Sequence, residues 1–443
     1  MIKTFPKGGI HPPGNKLSAN QGIEDFPLPK TVNIPVAQHL GFPASILVKR
    51  GDMVKAGQLI AKAEGFVSAN IHSSVSGKVA KVEPVMDSSG YRRPTAIIIV
   101  EGDEWVENII RDNKLVTDFD LSPKEIIQKI LAAGIVGMGG ATFPSHVKLS
   151  IPEGKKAEFL IINGVECEPY LTADHALMLK KGEEIMVGIS IMMKALGVTK
   201  AIIGIENNKP DAINHLTNLS VKFDGIDVYP LKVKYPQGGE KQLIKALTGR
   251  EVPSGKLPVD VGAVVFNVGT VFAAYEAVQK NKPLIERIIT VTGMEVKEPK
   301  NFRVRIGTPV SQLIEAVGGL PENTGKVING GPMMGRALNT LDIPVVKGSS
   351  GLLFIPSEEA KRKEVSPCIR CTKCVSVCPM MLEPYLLKPL TQNELFDKLE
   401  RNRVMDCIEC GSCSFICPAH IPLLDWIRLG KARVGKIIRT RKK

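Results

Sequence analysis

The sequence predicts a multidomain protein of mixed α/β class with a helical C-terminal domain organised around cysteines. Eight of the nine cysteines fall in one pattern, C-x2-C-x2-C-x3-C-P, which occurs at 368–379 and again at 407–418. Between about 115 and 284, hydrophobic runs alternate with helical patterns, which is typical of a Rossmann-like parallel sheet. Short β-type runs separated by turns fill 31–105, which favours a small barrel or sandwich.

Residues 1–30 are rich in Gly and Pro and are predicted to form an extended arm. The β-type module that follows contains V-K-R-G-D-x-V-x-x-G-Q-x-I from Val48, and then S-x-V-S-G-K-V. These motifs resemble the biotinyl/lipoyl carrier domain, which holds its carrier Lys on the hairpin between them. The corresponding hairpin here, 63–69, contains no Lys. We therefore expect a barrel-sandwich domain that docks on or covers the rest of the protein.

The predicted α/β core begins with a helix-start signal, S-P-K-E from Ser122, in which Ser, Pro and Glu form a capping box. This helix leads into a Gly-rich run at 134–148. Later strands end in polar clusters, N-G-V-E-C-E-P from Asn163 and N-V-G-T from Asn267, and P-Q-G-G-E opens another helix. In a parallel sheet such clusters meet beyond the carboxyl ends of the strands, where ligands bind. N–H groups of Gly-rich turns can hold a phosphate there.

The cysteine pattern predicts two [4Fe-4S] clusters. Three thiolates at i, i+3 and i+6 reach three irons of a cubane, and the fourth Cys typically ligates the other cluster of the pair. Zinc is one alternative, but paired C-x2-C knuckles would leave the third and fourth Cys of each motif without a role. A disulfide framework is the other, and it needs an oxidising compartment. The predicted ligand sets are Cys368, Cys371, Cys374 and Cys417 for the first cluster, and Cys407, Cys410, Cys413 and Cys378 for the second.

Composition and charge favour a cytosolic protein. The chain is 44% hydrophobic and 23% charged, as soluble proteins are, and it has neither an export signal nor 18 consecutive apolar residues. Its net charge of +13 is concentrated at 426–443, a predicted basic tail that has no acidic residue from Arg428 onward. Such a tail suits an anionic membrane surface or an acidic partner, and a solvated terminal helix is an equal alternative. Nucleic acid is the weakest option because no aromatic-rich basic groove accompanies the tail.

Two further domains are predicted. Residues 285–350 are rich in β-type runs and resemble the β-grasp domain of the soluble-ligand-binding type, for which we expect a structural role. Residues 360–425 contain both cysteine motifs, and the stretch between the motifs is mainly helical in composition. We therefore expect an α-helical ferredoxin-like domain there.

Several of these segments together resemble the NADH-oxidising flavoprotein subunit of respiratory complex I. The run G-M-G-G-A-T-F-P-S-H-V-K from Gly137 is similar to its flavin loop, G-R-G-G-A-G-F-P-T-G-x-K, and N-G-V-E-C-E-P is similar to its N-A-D-E-S-E-P. The order of modules resembles the RnfC family, one component of the Rnf (or Rsx) ion-translocating electron-transport complexes, over nearly the whole chain. The predicted fold class is thus multidomain α/β, with a carrier-like β barrel-sandwich domain, a Rossmann-like flavoprotein core, a β-grasp domain and an α-helical dicluster ferredoxin domain.

The resemblance implies non-covalently bound FMN and NAD(H) as substrate. Phe143 is expected to stack near the nicotinamide or adenine, and Cys167 is expected to be a small buried residue in place of a Ser. Glu166, Glu168 and Glu240 are expected to bind nucleotide hydroxyls or to bias the flavin potential. The implied FMN-binding residues are Gly137, Gly139, Gly140, Lys148 (at the phosphate), Asn163, Gly238, Asn267 and Thr270.

The implied function is electron transfer between NADH/NAD+, FMN and two [4Fe-4S] clusters, in a membrane-bound ion-pumping ferredoxin:NAD+ oxidoreductase. Membrane-embedded and peripheral subunits of the complex would be partners, with ferredoxin an indirect one, and the chain would sit peripherally on the cytoplasmic face of the inner membrane. Three residues depart from the complex I pattern: Met138 replaces Arg, Val165 replaces Asp and Gly239 replaces Glu. A cobalamin (corrinoid) reductase-type flavo-iron-sulfur protein and a passive iron–sulfur adaptor subunit are the alternatives.

Overall fold

The computed structural model describes residues 2–441. Residues 2–30 run as an extended arm across the other modules, as the Gly- and Pro-rich sequence predicts. One short strand of the arm, β1 (Ile23–Asp25), joins the sheet of the β-grasp domain in parallel pairing. Near the start of the arm, the Gly9 N–H donates a 2.8 Å hydrogen bond to the Val377 carbonyl in the cysteine-rich domain. The arm therefore connects modules that are far apart in sequence.

The barrel-sandwich domain follows the arm. It contains one four-stranded antiparallel sheet and one of three strands, and alternate residues such as Val32 and Ile34 are fully buried between them. Its 63–69 hairpin packs on the core, where the Phe66 carbonyl oxygen lies 3.0 Å from Nε2 of His146. The strands are β2 (Thr31–Pro35), β3 (Ser45–Ile46), β4 (Met53–Val54), β5 (Leu59–Lys62), β6 (Ile71–His72), β7 (Gly77–Met86) and β8 (Arg92–Val100).

The α/β core alternates helices and strands as predicted. Its first helix begins at the capping box, where the Glu125 carboxylate accepts from the Ser122 N–H at 2.7 Å and the Ser122 hydroxyl accepts from the Glu125 N–H at 3.3 Å. The strands are β9 (Phe159–Asn163), β10 (Ala201–Glu206), β11 (Ile226–Leu231) and β12 (Ala263–Asn267). The helices are α1 (Pro123–Ala132), α2 (Ser145–Leu149), α3 (Ala173–Lys180), α4 (Gly182–Leu196), α5 (Pro210–Ser220), α6 (Glu240–Thr248), a 3-10 helix (Pro258–Val261) and α7 (Val268–Gln279).

The core sheet is parallel, with the strand order β11-β10-β9-β12. The chain moves outward from β9 through β10 to β11 and then returns to the other side of β9, so the order reverses between β9 and β12. Open parallel sheets bind ligands in the crevice beyond the carboxyl ends of two such strands. The crevice between the ends of β9 and β12 is therefore the expected ligand position.

The β-grasp domain is a six-stranded sheet with the order β1-β14-β13-β17-β15-β16. It extends past the predicted end at 350, because the apolar run from Leu352 to Phe354 is buried in a strand between β13 and β15. The elements are β13 (Glu286–Gly293), β14 (Lys300–Arg305), α8 (Val310–Glu315), β15 (Thr324–Asn329), β16 (Arg336–Ala337), β17 (Gly351–Pro356) and α9 (Ser357–Ala360).

The cysteine-rich domain is helical, as predicted for the stretch between and around the two motifs. Each motif includes a short helix that ends just before its fourth Cys. The elements are α10 (Lys373–Ser376), α11 (Pro384–Gln392), α12 (Phe396–Arg401), a 3-10 helix (Val404–Asp406), α13 (Ser412–Ile416) and α14 (Leu423–Arg441).

The last helix differs from the separate basic tail predicted for 426–443. Helix α14 already begins at Leu423, and Ile427 and Val434 on one of its faces are buried against the cysteine-rich domain. Two of its cations, Arg428 and Lys431, pair with Glu409 at 3.1 and 3.0 Å. Residues 442 and 443 lie outside the described part. None of the helices formed within residues 2–441 is long and apolar enough to cross a membrane.

Candidate functional site

Two asparagines form the floor of the crevice. Asn163 ends β9, Asn267 ends β12, and the two are direct neighbours in the strand register. The amide of Asn163 donates to the Gly238 carbonyl at 2.9 Å. The Asn267 side chain accepts from the Gly269 N–H at 2.9 Å, which caps α7, and donates to Asp174 at 2.6 Å. The sheet thus joins three predicted cofactor-binding residues at one edge.

The Gly-rich loop lies over the same edge. Thr270 at the start of α7 accepts from the Met138 N–H at 2.9 Å. A Cβ on Gly139 would come within 3.3 Å of Asn267, so the loop packs closely where it lacks a side chain. Gly140 has a φ of +129° and faces open space. A bare backbone that is exposed at 139 and 140 beside the crevice fits the binding of a planar, phosphorylated cofactor.

Lys148 and Glu240 also meet at the crevice. The Lys148 ammonium donates to the Glu240 carboxylate at 2.7 Å and to the Val265 carbonyl on β12 at 2.6 Å. Glu240 is the first residue of α6 and its side chain is 42% exposed. An ammonium has three donors, and two of those on Lys148 are used. Among the described residues the third donor has no acceptor, so Lys148 keeps a free donor for an anion.

Glu166 caps a helix. It has a left-handed backbone, with a φ of +46°, and its carboxylate accepts from the N–H groups of Asp174 and His175 at 2.8 and 3.2 Å. Both N–H groups belong to the unpaired first turn of α3. The negative charge of Glu166 is thus held beside Asp174, and it adds to the burial that raises the pKa of Asp174.

Glu168 points away from the flavin loop. Its carboxylate accepts from the N–H groups of Met333 and Met334 in the β-grasp domain, at 3.1 and 2.8 Å, and lies 3.5 Å from the Tyr235 hydroxyl. Burial raises its pKa to about 6 against these hydrogen bonds. The structure therefore separates Glu168 from the other predicted crevice residues. Phe143 stays at the loop, where its carbonyl accepts from the Gly137 N–H at 2.8 Å.

Three charged residues at the site were not predicted from the sequence. Asp174 bonds Asn267, and Arg287 donates to the Met138 carbonyl at 3.1 Å. Lys16 of the arm donates to three carbonyls in 166–171, each within 2.9 Å, which fixes the loop after β9. Arg287 and Lys16 lie more than a hundred positions from their partners, so no local pattern marks them. Asp174 could have been noticed in the sequence, because acidic residues are common in the first turn of a helix.

The four cysteines of the second predicted set surround one cavity. Apolar side chains, among them Leu382, Leu387 and Ile427, complete most of its lining. Burial and the neighbouring thiols Cys407, Cys410 and Cys378 raise the pKa of Cys413. A partly enclosed space with four thiols and an apolar wall fits an iron–sulfur cluster. The cysteines that line it are Cys378, Cys407, Cys410 and Cys413.

The four cysteines of the first set lie nearer the surface. Cys368 and Cys371 are exposed, as is the whole stretch 361–373, whereas Cys374 is buried. Burial raises the pKa of Cys374, and the neighbouring thiols Cys417, Cys368 and Cys371 add to the rise. Within residues 2–441, no three His, Cys, Asp or Glu side chains converge on one point suited to a single metal ion.

A short loop joins the crevice to the second cysteine set. The Tyr235 hydroxyl donates to the Cys410 carbonyl at 2.8 Å, and three residues later the Gly238 carbonyl accepts from Asn163. The Gly238 N–H lies 3.4 Å from the sulfur of Cys167, whose pKa burial raises to about 12. Cys167 is therefore a neutral thiol packed between the two sites. Residues 235–238 touch both sites.

Four family matches cover most of the chain. Residues 3–104 match the RnfC barrel sandwich hybrid domain and residues 130–276 match the Nuo51 FMN-binding domain. Residues 288–337 match the SLBB domain, and residues 367–421 match the 4Fe-4S dicluster domain. These domains follow the order of the modules described above.

Curated relatives match over nearly the full length. The chain is 50% identical over 403 residues to the C component of the proton-translocating ferredoxin:NAD(+) oxidoreductase complex of Clostridium ljungdahlii, covering 90% of this chain and 86% of that protein. It is 47% identical to the Na(+)-translocating counterpart of Acetobacterium woodii, covering 89% of each. An air-oxidized NAD+-reducing [NiFe]-hydrogenase structure aligns with a TM-score of 0.50 at 18% identity, over 71% of this chain and 66% of that chain, which reflects the fold alone.

Proposed function

The chain belongs to the RnfC family, the C components of ion-translocating ferredoxin:NAD+ oxidoreductase complexes, and from that premise we propose how its residues exchange electrons with NAD(H). It is an oxidoreductase subunit with an FMN-binding domain and two [4Fe-4S] clusters. FMN exchanges a hydride with a nicotinamide and single electrons with a cluster, and that is the chemistry it supplies when bound. The protein binds the cofactors and sets the distances between them.

FMN binds in the crevice between β9 and β12. On the loop side of the site, the exposed N–H groups of Gly139 and Gly140 bind the cofactor. Gly137 and Thr270 support the loop behind them. The free donor of Lys148 takes a phosphate oxygen while Lys148 keeps its bond to Val265. The other residues that hold the cofactor are Asn163, Gly238 and Asn267.

The nucleotide binds at the exposed side of the same loop. Phe143 offers an aromatic face beside Gly137, and the Glu240 carboxylate is placed to accept from nucleotide hydroxyls. Glu166 acts through α3, since its carboxylate fixes the helix start and holds a negative charge beside Asp174. With its raised pKa, the Asp174 carboxyl holds a proton beside Asn267 more readily than an ordinary aspartate does. For Glu168 we propose a structural role at the junction with the β-grasp domain.

The observation that carries this proposal is the 235–238 loop. It bonds Asn163 at the crevice and Cys410 in the second cysteine set, so no other module separates the two sites. Cys378, Cys407, Cys410 and Cys413 would accordingly hold the cluster that exchanges electrons with the crevice, and the first set would hold the cluster that exchanges electrons with it in turn.

Partner proteins of the complex contact the first cysteine set. Cys368 and Cys371 are exposed, with the cations Arg370 and Lys373 beside them. The exposed cations of α14, such as Arg433 and Lys436, face outward and suit an anionic surface. We place the chain peripherally on the cytoplasmic face of the inner membrane, with embedded and peripheral subunits as direct partners and ferredoxin as an indirect one.

The test is an anaerobic titration of the purified, cluster-reconstituted chain with NADH, followed by flavin and iron–sulfur absorbance. We expect flavin bleaching followed by partial cluster reduction. Bound FMN that neither NADH nor NADPH reduces would contradict the nucleotide site and favour a corrinoid or protein donor. A chain that holds clusters but no flavin would be the passive adaptor.

A further inference from the structure

Two buried cations of the β-grasp domain donate hydrogen bonds to backbone carbonyls of the Gly-rich loop. The Lys347 ammonium, in a residue that is 1% exposed, donates to the Gly134 carbonyl at the start of the loop and to the Asn70 carbonyl of the barrel-sandwich domain, both at 2.7 Å. Arg287 on β13 reaches the middle of the loop. The β-grasp domain, for which the sequence predicts a structural role, thus contacts the proposed flavin loop at two points.

Arg287 is enclosed and doubly bonded. The residue is only 5% exposed, its Nε donates to the Ser349 carbonyl at 2.7 Å, and its Nη2 donates to the Met138 carbonyl at 3.1 Å. Burial lowers its pKa to about 10, and the nearby charge of Asp174 opposes that shift. The guanidinium is therefore charged at neutral pH. Met138 replaces the Arg of the complex I pattern. In this chain a guanidinium reaches the loop from another domain instead, on Arg287.

The bond to Met138 fixes the direction of the next N–H. The peptide unit between Met138 and Gly139 is planar and trans, so its C=O and N–H point in opposite directions. Because Arg287 holds the carbonyl on the buried side, the Gly139 N–H points to the exposed side. Gly139 is exposed, and within residues 2–441 its N–H donates to no other residue. The N–H of the preceding residue, Met138, already donates to the Thr270 hydroxyl.

We infer that Arg287 is a positioning residue for FMN, which turns the Gly139 N–H toward the cofactor by holding the Met138 carbonyl from the β-grasp side. This inference rests on the proposed FMN site in the crevice. A charged donor fixes a carbonyl more strongly than a neutral one, so the loop is preorganised before the cofactor arrives.

The test measures FMN affinity in the flavin-free full chain, by quenching of FMN fluorescence. Arg287→Gln loses the charge and the paired donors, and we expect FMN binding at least about tenfold weaker, equivalent to about 1.4 kcal/mol. Arg287→Lys keeps the charge but replaces the rigid planar fork of donors with one flexible ammonium, which holds the two carbonyls less firmly, and we expect an intermediate loss. The matched control is Arg305→Gln, which removes a mostly buried guanidinium of the same domain that bonds Ser74 and Asp103, with affinity unchanged.

Each outcome separates the inference from the proposed function. If the wild-type chain binds FMN and Arg287→Gln binds it within twofold, at a native melting temperature and iron content, the inference is overturned. If Arg287→Gln does not fold, Arg287→Lys decides, and wild-type affinity in that variant overturns the inference. If the wild-type chain binds no FMN, the proposed site itself fails and the inference falls with it.

Discussion

The two cysteine motifs have the same spacing and opposite surroundings. The second set, Cys378 with three cysteines of 407–413, lines a cavity closed by apolar side chains. In the first set, Cys368 and Cys371 are exposed on a stretch without covering structure. Identical ligand spacing therefore does not give equivalent sites. The difference comes from apolar residues beside the motifs, which line the cavity, and from parts of the chain far from either motif.

The cover over the second set comes from the arm and the core. Gly8, with a φ of +71°, lies so close to the backbone of Cys378 that a Cβ there would approach it within 2.6 Å. On the other side, the Tyr235 hydroxyl bonds the Cys410 carbonyl. No comparable contact reaches Cys368 or Cys371 in the described part of the chain. The covered site contacts the flavoprotein core through Tyr235, whereas the open site is exposed at Cys368 and Cys371.

The largest effect is expected from removing one cluster at a time. In Cys410→Ala the cluster next to the crevice is lost, so NADH should bleach the flavin while the other cluster stays oxidised. In Cys371→Ala the cluster of the first set, here called the outer cluster, is lost. NADH should still reduce the cluster of the second set, the inner cluster. Electron paramagnetic resonance after anaerobic NADH addition distinguishes the two variants. Equal cluster reduction in both variants would contradict the proposed difference between the two sites.

A second test removes the cover. Gly8→Val forces a side chain against the Cys378 backbone in a left-handed conformation, at a cost of about 1–3 kcal/mol, and should lift the arm. The inner cluster should then be lost in air at least several times faster, with the outer cluster unaffected. Gly14→Ala in the same arm, where a Cβ meets only Lys16 at 3.9 Å, is the control. Iron release is the measurement, and an unchanged rate in Gly8→Val would contradict the covering role.

A third test is milder and concerns one hydrogen bond. Tyr235→Phe removes the donor to the Cys410 carbonyl, a bond worth about 1 kcal/mol. If it favours the reduced cluster by that amount, the inner potential should fall by about 40 mV. The outer potential should not move. Redox titration of both signals gives the answer, with the exposed Tyr91→Phe as control; equal shifts at both clusters would indicate a global effect.

The last test concerns pH and is measured as stability, not as electron transfer. Burial raises the pKa of Glu168 from 4.5 to about 6, so the folded state binds the proton more tightly than the unfolded state. Its contribution to stability is present below pH 4.5 and lost as the pH rises through 6, by about 2 kcal/mol in total. Glu168→Gln should therefore gain stability relative to wild type between pH 4.5 and 7. Denaturant unfolding at pH 4.5 and at pH 7 measures this difference in stability. The same pH dependence in the variant and the wild type would show that Glu168 is not the group responsible.

Local signals in the sequence predict much of this structure. The capping box at Ser122 depends on neighbouring residues, and it forms as predicted. The strand ends at Asn163 and Asn267 meet because parallel strands align their carboxyl ends. Cysteine spacing likewise depends on local geometry, and the predicted sets are neighbours in the structure.

The features that the sequence leaves open depend on distant contacts. Glu168 resembles a nucleotide-binding residue in its motif, but the β-grasp domain supplies two N–H groups that draw its carboxylate away. Arg287 reaches the flavin loop from β13, across 149 positions. The cations of 426–443 are interpreted as a tail because the acidic partners of three of them lie on preceding segments. Glu409 pairs with Arg428 and Lys431, and residues 397 and 400 supply the partners of Arg441. Which cysteine set is covered depends on the arm at the other end of the chain.

Electrons from the crevice are expected to reach the covered cluster before the open one. Rapid mixing of the anaerobic wild-type chain with NADH, followed by freezing and electron paramagnetic resonance, tests it directly, with the single-cluster variants identifying each signal. We expect the signal of the cluster of Cys378, Cys407, Cys410 and Cys413 to rise first and the signal of the other cluster to follow. Earlier reduction of the cluster of Cys368, Cys371, Cys374 and Cys417 would contradict it.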